Sequence, residues 1–172
     1  MQILITGGTG LIGRALCKRL SNAGHQLTVV SRHPNSVKEK CGSGVIAIGS
    51  LDAWHEDIFF DAVINLAGEP IADAAWTDRR KKLLWDSRVT LTKELVARLA
   101  KNQRKPRVLL SGSAIGYYGD RGDEVLDESS ESASDFAARL CVAWEDAAKL
   151  ASKSGVCVCL LRTGLVLAPE GG

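Results

Sequence analysis

Three groups of residues in this 172-residue sequence have types and spacings that could do chemistry. The first is the run Thr6-Gly7-Gly8-Thr9-Gly10-Leu11-Ile12-Gly13. Glycines at 7, 10 and 13 suit a tight turn, a backbone that comes close to a pyrophosphate, and close packing of a helix on a strand. A helix opening at Leu11 would turn free N–H groups and the positive end of its dipole toward phosphates. Gly7, Gly8, Thr9, Gly10, Leu11 and Ile12 are therefore candidate dinucleotide-binding residues. The run holds no Gly-Lys-Ser/Thr, so it is not a Walker A loop. The second group is Ser31 and Arg32, in Val29-Val30-Ser31-Arg32-His33-Pro34. A site for NAD would carry an acid about 20 residues past the motif, to bond the ribose 2′-hydroxyl. No acid occurs there before Glu39. Arg32 can instead pair with a 2′-phosphate while Ser31 donates a hydrogen bond to it, which favours NADP(H) over NAD(H). The plainer alternative is an exposed arginine in a turn. The third group is Ser113 with Tyr117 and Tyr118, the two tyrosines of the chain. Their hydroxyls could hold or protonate a substrate oxygen.

The elements that must position these groups follow from hydrophobic periodicity. Residues 2–6 read as a buried strand, and Leu11, Ile12, Ala15, Leu16 and Leu20 place a helix over about 11–23, stopped by Gly24. Apolar runs at 27–30, 45–48, 61–67, 107–110 and 156–161 are five further strands. Helices are expected over about 77–101, with Leu84, Leu91, Leu95 and Leu99 near one face, and over about 134–153, ended by Gly155. Alternating strands and helices imply an α/β, Rossmann-like, doubly wound parallel sheet with helices on both faces. Residues 119–135 are polar and acidic and are expected to form a long surface loop, with Asp120, Asp123 and Glu124 solvated.

Composition narrows the function classes. Hydrophobic residues make up 45% and charged residues 24%, as in an ordinary globular domain. The net charge of +2 argues for neither nucleic acid nor a membrane surface. No stretch approaches the roughly 20 apolar residues of a membrane span. Met1-Gln2 runs straight into Ile3-Leu4-Ile5 without the basic start of a signal peptide, so a cytoplasmic protein is expected. The five cysteines, Cys17, Cys41, Cys141, Cys157 and Cys159, form no Cys-x-x-Cys. They are expected as small buried residues in a reducing compartment, without disulfides or metal. His25, His33 and His55 form no spaced cluster and are assigned no role.

The spacing Gly-x-x-Gly-x-x-Gly resembles that of the extended short-chain dehydrogenase/reductase superfamily. Further stretches narrow the likeness: Val-Val-Ser-Arg (29–32), Asn-Leu-Ala-Gly-Glu-Pro-Ile (65–71), Ser-Arg (87–88), Ser-Gly-Ser-Ala-x-Gly-Tyr-Tyr-Gly (111–119), Trp-Glu (144–145) and Leu-Arg-Thr-Gly-x-Val-Leu-Ala-Pro (161–169). Together with residues 3–13, they resemble the YfcH-type epimerase-family proteins, an atypical subfamily of the NAD(P)-dependent epimerase/dehydratase family. The resemblance implies the Rossmann-like fold and NADP(H) binding. By position it adds Leu66, Ala67 and Gly68 on the adenosine side of the cofactor, Arg88 as a cofactor contact and Leu165 toward the nicotinamide half. The plainer readings are a solvated helix arginine for Arg88 and loop packing for Leu165.

Classical members use a serine or threonine with a Tyr-x-x-x-Lys on one helix face. Ser113 matches the serine position. Counting from Glu145 puts Ala137 and Cys141 where the tyrosine and lysine would stand, and neither can donate a proton as a phenol does or supply the cation. Two readings stay open. Tyr117 or Tyr118 takes over as proton donor beside Ser113, in an NADP(H)-dependent oxidoreductase or epimerase acting on a carbonyl or hydroxyl carbon, such as that of a nucleotide sugar. Alternatively, the chain binds NADPH without catalysis, as a sensor or scaffold. The resemblance also implies a substrate domain after the dinucleotide fold. That domain is expected to be missing here, beyond Leu-Ala-Pro-Glu-Gly-Gly (167–172), as in a fragment or truncated frame. An apolar face left open by its loss could drive homo-oligomer formation. The small-molecule substrate is not specified by the sequence.

Overall fold

The computed structural model describes residues 1–169; of the expected domain junction at 167–172, the last three residues lie outside them. Six strands form one all-parallel sheet: β1 (Gln2–Thr6), β2 (Gln26–Val30), β3 (Ile46–Ile48), β4 (Ala62–Asn65), β5 (Val108–Ala114) and β6 (Cys157–Thr163). Their order is β3-β2-β1-β4-β5-β6, the order of the Rossmann fold, with its direction of winding reversed at β1 and β4. The register pairs Ile5 with Val29 on one side and with Ile64 on the other. Each strand alternates between the two faces. Ile3, Ile5, Leu27, Val29, Ala62 and Ile64 pack beneath α1 (Leu11–Asn22) and the five-residue α2 (Val37–Cys41). Leu4, Val63 and Leu109 point the other way, against Leu95, Val96 and Leu99 of α4 (Leu91–Lys101) and Ala148 of α5 (Phe136–Lys149). This is why β1 and β4 read as continuous apolar runs: both of their faces are buried.

Two expectations change in detail, and one short helix is additional. The helix over 77–101 is continuous but not uniform: α3 (Asp78–Trp85) passes into α4 through a π-helical turn at Asp86–Thr90. Such a turn widens the helix and re-aims its side chains, and here Ser87 and Thr90 face the cleft described below. The last two strands run further than their apolar runs suggest, to Ala114 and Thr163, because the polar residues Ser111, Ser113, Arg162 and Thr163 pair in the ladder as well. The short α2 carried no periodic signal at its length.

The cysteine expectation needs a larger correction. Cys17, Cys41 and Cys141 are buried, but Cys159 is only half-buried and Cys157 is exposed. Val108 and Leu110 on the same sheet face are likewise only partly buried, and Leu161 keeps 41% of its surface. The face is covered at β1–β3 and open at β5–β6. Residues 119–135 form the expected loop: the chain holds no helix or strand between Tyr118 and Asp135. No helix among the described residues is long and apolar enough to cross a membrane.

Candidate functional site

The carboxyl ends of β1 to β4 open into one cleft of about 840 Å³, at the point where the sheet's winding reverses. Ligands of open α/β sheets bind at this place. The cleft is lined by Thr6, Gly7, Thr9 and Gly10 after β1, by Val30, Ser31, Arg32 and His33 after β2, and by Leu66, Ala67, Gly68 and Glu69 after β4. Eight of the thirteen cofactor-binding candidates are thus brought together: Gly7, Thr9, Gly10, Ser31, Arg32, Leu66, Ala67 and Gly68.

The turn is built by contacts that leave no room for side chains. Gly7 has φ +70°, and a Cβ there would fall against the Leu66 carbonyl oxygen and 2.5 Å from its carbon. A Cβ on Gly13 would lie 2.7 Å from the Gly8 carbonyl carbon. Gly10 caps α1 in an extended conformation, with no side-chain hydrogen bond and no acid in the first helical turn. The other long helices close their amino ends differently: Thr77 accepts from Arg80 N–H and Asp135 from Ala138 N–H. The amino end of α1 therefore keeps N–H groups for an anion, as a pyrophosphate cradle requires. The residues present fit a dinucleotide: a backbone-only turn, an uncapped helix end, and a cation instead of an acid after β2.

Other candidates lie elsewhere. Gly8 does not line the cleft, and a Cβ on it would meet both Val29 methyls at 2.9 Å, so its small size lets the turn pack on β2. Leu11 and Ile12 line a separate cavity between α1 and α2, though their main chain forms the helix start. Arg88 is half-buried rather than solvated. It donates from Nη2 to the Glu69 carbonyl at 2.9 Å, packs beneath Gly68 and stacks over the Trp144 ring. Burial pushes its pKa down, and the nearby Cys141 and Glu69 partly offset this. Its place is under the β4 loop, so it supports Leu66–Gly68 from behind. Leu165 is 80% exposed and lines neither cavity.

The catalytic candidates form a second cluster, at the carboxyl ends of β5 and β6. Ser113 is buried and donates to Glu145 Oε1 at 2.7 Å. Glu145, on α5, is fully buried and also holds Arg162, through Nε to Oε1 at 2.8 Å and Nη2 to Oε2 at 3.0 Å. Arg162 Nη1 donates to the Tyr118 hydroxyl at 2.9 Å and to the Glu128 carbonyl at 3.2 Å, and the guanidinium lies 3.6 Å above the Tyr117 ring. Burial pushes the Glu145 carboxyl up, but the hydrogen bonds from Arg162 and Ser113 outweigh it and hold the carboxyl below the ordinary glutamate value. Cys141 sits beside Ser113 and Ala114, its thiol raised mainly by burial, and Ala137 lies next to Gly116. So of the positions counted from Glu145, Cys141 sits by Ser113 and Ala137 by Gly116, with a thiol and a methyl group in place of a cation and a phenol.

Arg162 and Glu145 were not read as site residues in the sequence. Arg162 sits mid-run in β6, where an arginine looks like an edge-strand charge. Register decides otherwise, since it pairs Arg162 with Ser113. Beneath both clusters runs a buried polar chain. Thr6 donates to Asn65 Oδ1 at 2.6 Å, Asn65 Nδ2 donates to Thr92 at 2.8 Å, and Trp144 Nε1 donates to Thr92 at 3.0 Å. It ties β1, β4, α4 and α5 together at the cleft floor. No group of histidine, cysteine and carboxylate side chains among the described residues could hold a metal ion.

The family model for the NAD dependent epimerase/dehydratase family matches residues 3–172. The chain belongs to that family. Among curated epimerase-family relatives, one from Mycobacterium bovis is 41% identical over 171 residues, which is 99% of this chain and 55% of the relative. The human epimerase family protein SDR39U1, solved with NADPH, superposes with a TM-score of 0.85 at 33% identity, over 100% of this chain and 56% of that one. A nucleoside-diphosphate sugar epimerase from Corynebacterium glutamicum superposes with a TM-score of 0.78 at 35% identity, over 100% of this chain and 35% of that one. The chain thus spans about half the length of the curated family members it matches.

Proposed function

We propose that this chain is the NADP(H)-binding part of an epimerase-family oxidoreductase or epimerase, acting on a carbonyl or hydroxyl carbon of a small molecule, with nucleotide sugars the first class to try. The observation that carries the reading is the cleft itself: a side-chain-free turn, an uncapped α1 and Arg32 in place of an acid after β2. NADPH in the solved human relative and the nucleoside-diphosphate sugar epimerase among the similar structures support it. Bound nicotinamide would supply the hydride acceptor or donor. Buried Tyr118 accepts from Arg162 and donates to no other group among the described residues, so its O–H would serve a substrate oxygen that reaches it. The Ser113 proton is committed to Glu145, so Ser113 meets a substrate as an acceptor. A cytoplasmic location and a homo-oligomer formed over the open β5–β6 face belong to this reading; nucleic acid and membrane do not.

The cofactor assignment is tested by Arg32→Ala. NADPH affinity should fall at least tenfold, since a lost charge-assisted pair with a phosphate is worth about 1.5–3 kcal/mol. NADH affinity should stay within about twofold. Fluorescence titration of both nucleotides reads the difference, and equal losses would refute the assignment.

A second reading is favoured by one observation: Cys141 beside Ser113 and Ala137 beside Gly116 stand where an ammonium and a phenol would work. A chain that keeps the cleft and lacks this pair would bind NADPH without turning it over. Screening a full-length family form carrying this domain against carbonyl compounds and nucleotide sugars separates the two. NADPH oxidation that Tyr118→Phe abolishes is expected. Tight binding with no turnover on any of them would leave the sensor reading standing.

A further inference from the structure

Arg32 and Glu69 stand on opposite walls of the cleft. Arg32 follows β2, Glu69 follows β4, and β1, which ends in the glycine turn, lies between those strands. The pair Arg32 Nη2–Glu69 Oε1, at 2.8 Å, therefore joins the two loops across the mouth above the turn. Its partners are not alike. The Arg32 side chain is 80% exposed and the Glu69 side chain only 17%. Glu69 is also pinned along its main chain: its N–H donates to Ser87 Oγ at 3.1 Å and its carbonyl accepts from Arg88 Nη2 at 2.9 Å. Glu69 is the fixed post and Arg32 the movable arm.

We infer that Glu69 is a specificity-determining residue, a carboxylate that competes with the cofactor's 2′-phosphate for Arg32. This rests on the NADP(H) reading above. Glu69 Oε1 holds Nη2, one arm of the guanidinium fork, so a phosphate that takes the whole fork bidentately must displace Glu69. The carboxylate stays behind, held by its main-chain bonds, and its charge opposes the arriving phosphate. The nucleotide without a 2′-phosphate meets neither effect. Because Arg32 is mostly in solvent, the latch is weak enough to open, and its effect is graded rather than all-or-none. Glu69 thus lowers a preference for NADPH that Arg32 alone would make steeper.

The experiment compares NADPH and NADH affinities of the whole chain and its Glu69→Gln variant, by fluorescence titration at low salt. The substitution keeps the main-chain bonds and the side-chain shape while removing the charge. NADPH is expected to bind about 3–10-fold tighter, with NADH changed less than about twofold. In an Arg32→Ala background the gain should shrink to little more than the repulsion alone, which a double-mutant cycle reads directly. Should Glu69→Gln fold poorly, Glu69→Ser carries the same expectation. NADPH affinity unchanged or weakened in both variants, or both nucleotides shifted equally, overturns the inference while leaving the cofactor reading intact. A parent chain that binds neither nucleotide overturns the cofactor reading itself.

Discussion

Gly7→Ala is expected to destabilise the domain by about 2–6 kcal/mol and to abolish NADPH binding. Two costs add. The backbone at Gly7 has φ +70°, where a side chain costs of order 1–3 kcal/mol. The new Cβ would also press on main chain rather than on a flexible side chain, 2.5 Å from the Leu66 carbonyl carbon and 2.7 Å from the Ala67 nitrogen. Backbone cannot rotate away, so β4's loop must move, at a further cost of about 1–3 kcal/mol. That loop is the far wall of the cleft, which couples the stability loss to the binding loss. Gly24→Ala is the control. Its φ is +81°, but nothing lies within 4 Å of a Cβ there, so it should cost about 1 kcal/mol and leave binding unchanged. Urea unfolding and nucleotide titration of the two variants read this directly. Equal behaviour of the two would mean the close approach of β1's turn to β4's loop matters little.

Arg162→Met is the second large effect. It leaves Glu145 charged and fully buried, with only Ser113 as a close donor and Lys149 Nζ at 4.0 Å. Breaking a buried pair by removing one partner costs about 3–5 kcal/mol, and removing both partners recovers much of it. The double variant Arg162→Met with Glu145→Met should therefore be more stable than Arg162→Met alone. The pH dependence has a definite sign. The Glu145 carboxyl lies below its unfolded value, so its stabilisation is fully present above about pH 4.3, the ordinary glutamate value, and is lost as pH falls through the lower folded value. Arg162 is raised above its unfolded value by its bonds to Glu145, and its share persists at any pH the fold survives. Urea unfolding at pH 7 and near pH 3 should show the parent's advantage over the double variant narrowing in acid. An unchanged gap would remove the ion pair from the account. The same change frees the Tyr118 hydroxyl and the Glu128 carbonyl, so the 119–135 loop should loosen with it.

Much of the fold was legible along the chain because its signals are local. The glycine run, the strand before it and the helix after it are neighbours in sequence, and an amphipathic helix or an apolar run reports its own partner face. Leu4 and Ile5 already stood in the right run, although which sheet face each serves is known only from the paired strands. The cofactor side of the site was legible for the same reason: a turn, a helix start and the end of the next strand lie within about 30 residues, as a βαβ unit requires. Gly8 and Leu165 show the limit of that reading. Gly8, read as part of the turn, packs on Val29, and Leu165, placed toward the nicotinamide half by the resemblance, is 80% exposed and lines neither cavity. Neighbourhood in sequence does not say which way a residue faces.

By itself, then, the sequence determined the order of elements, the glycine turn and the absence of an acid after β2, all short-range properties of the chain. Tertiary structure alone decided the rest. Sheet register set Arg162 opposite Ser113, and α5 brought Glu145 to both, from 32 residues beyond Ser113 and 17 before Arg162 in the chain. The strand order put Glu69 across the turn from Arg32. The open β5–β6 face left Cys157 in solvent, although its apolar run reads as core. In the first two cases the energy that matters is a charge or a hydrogen bond between distant segments, in the third it is apolar burial, and only the fold sets which segments meet.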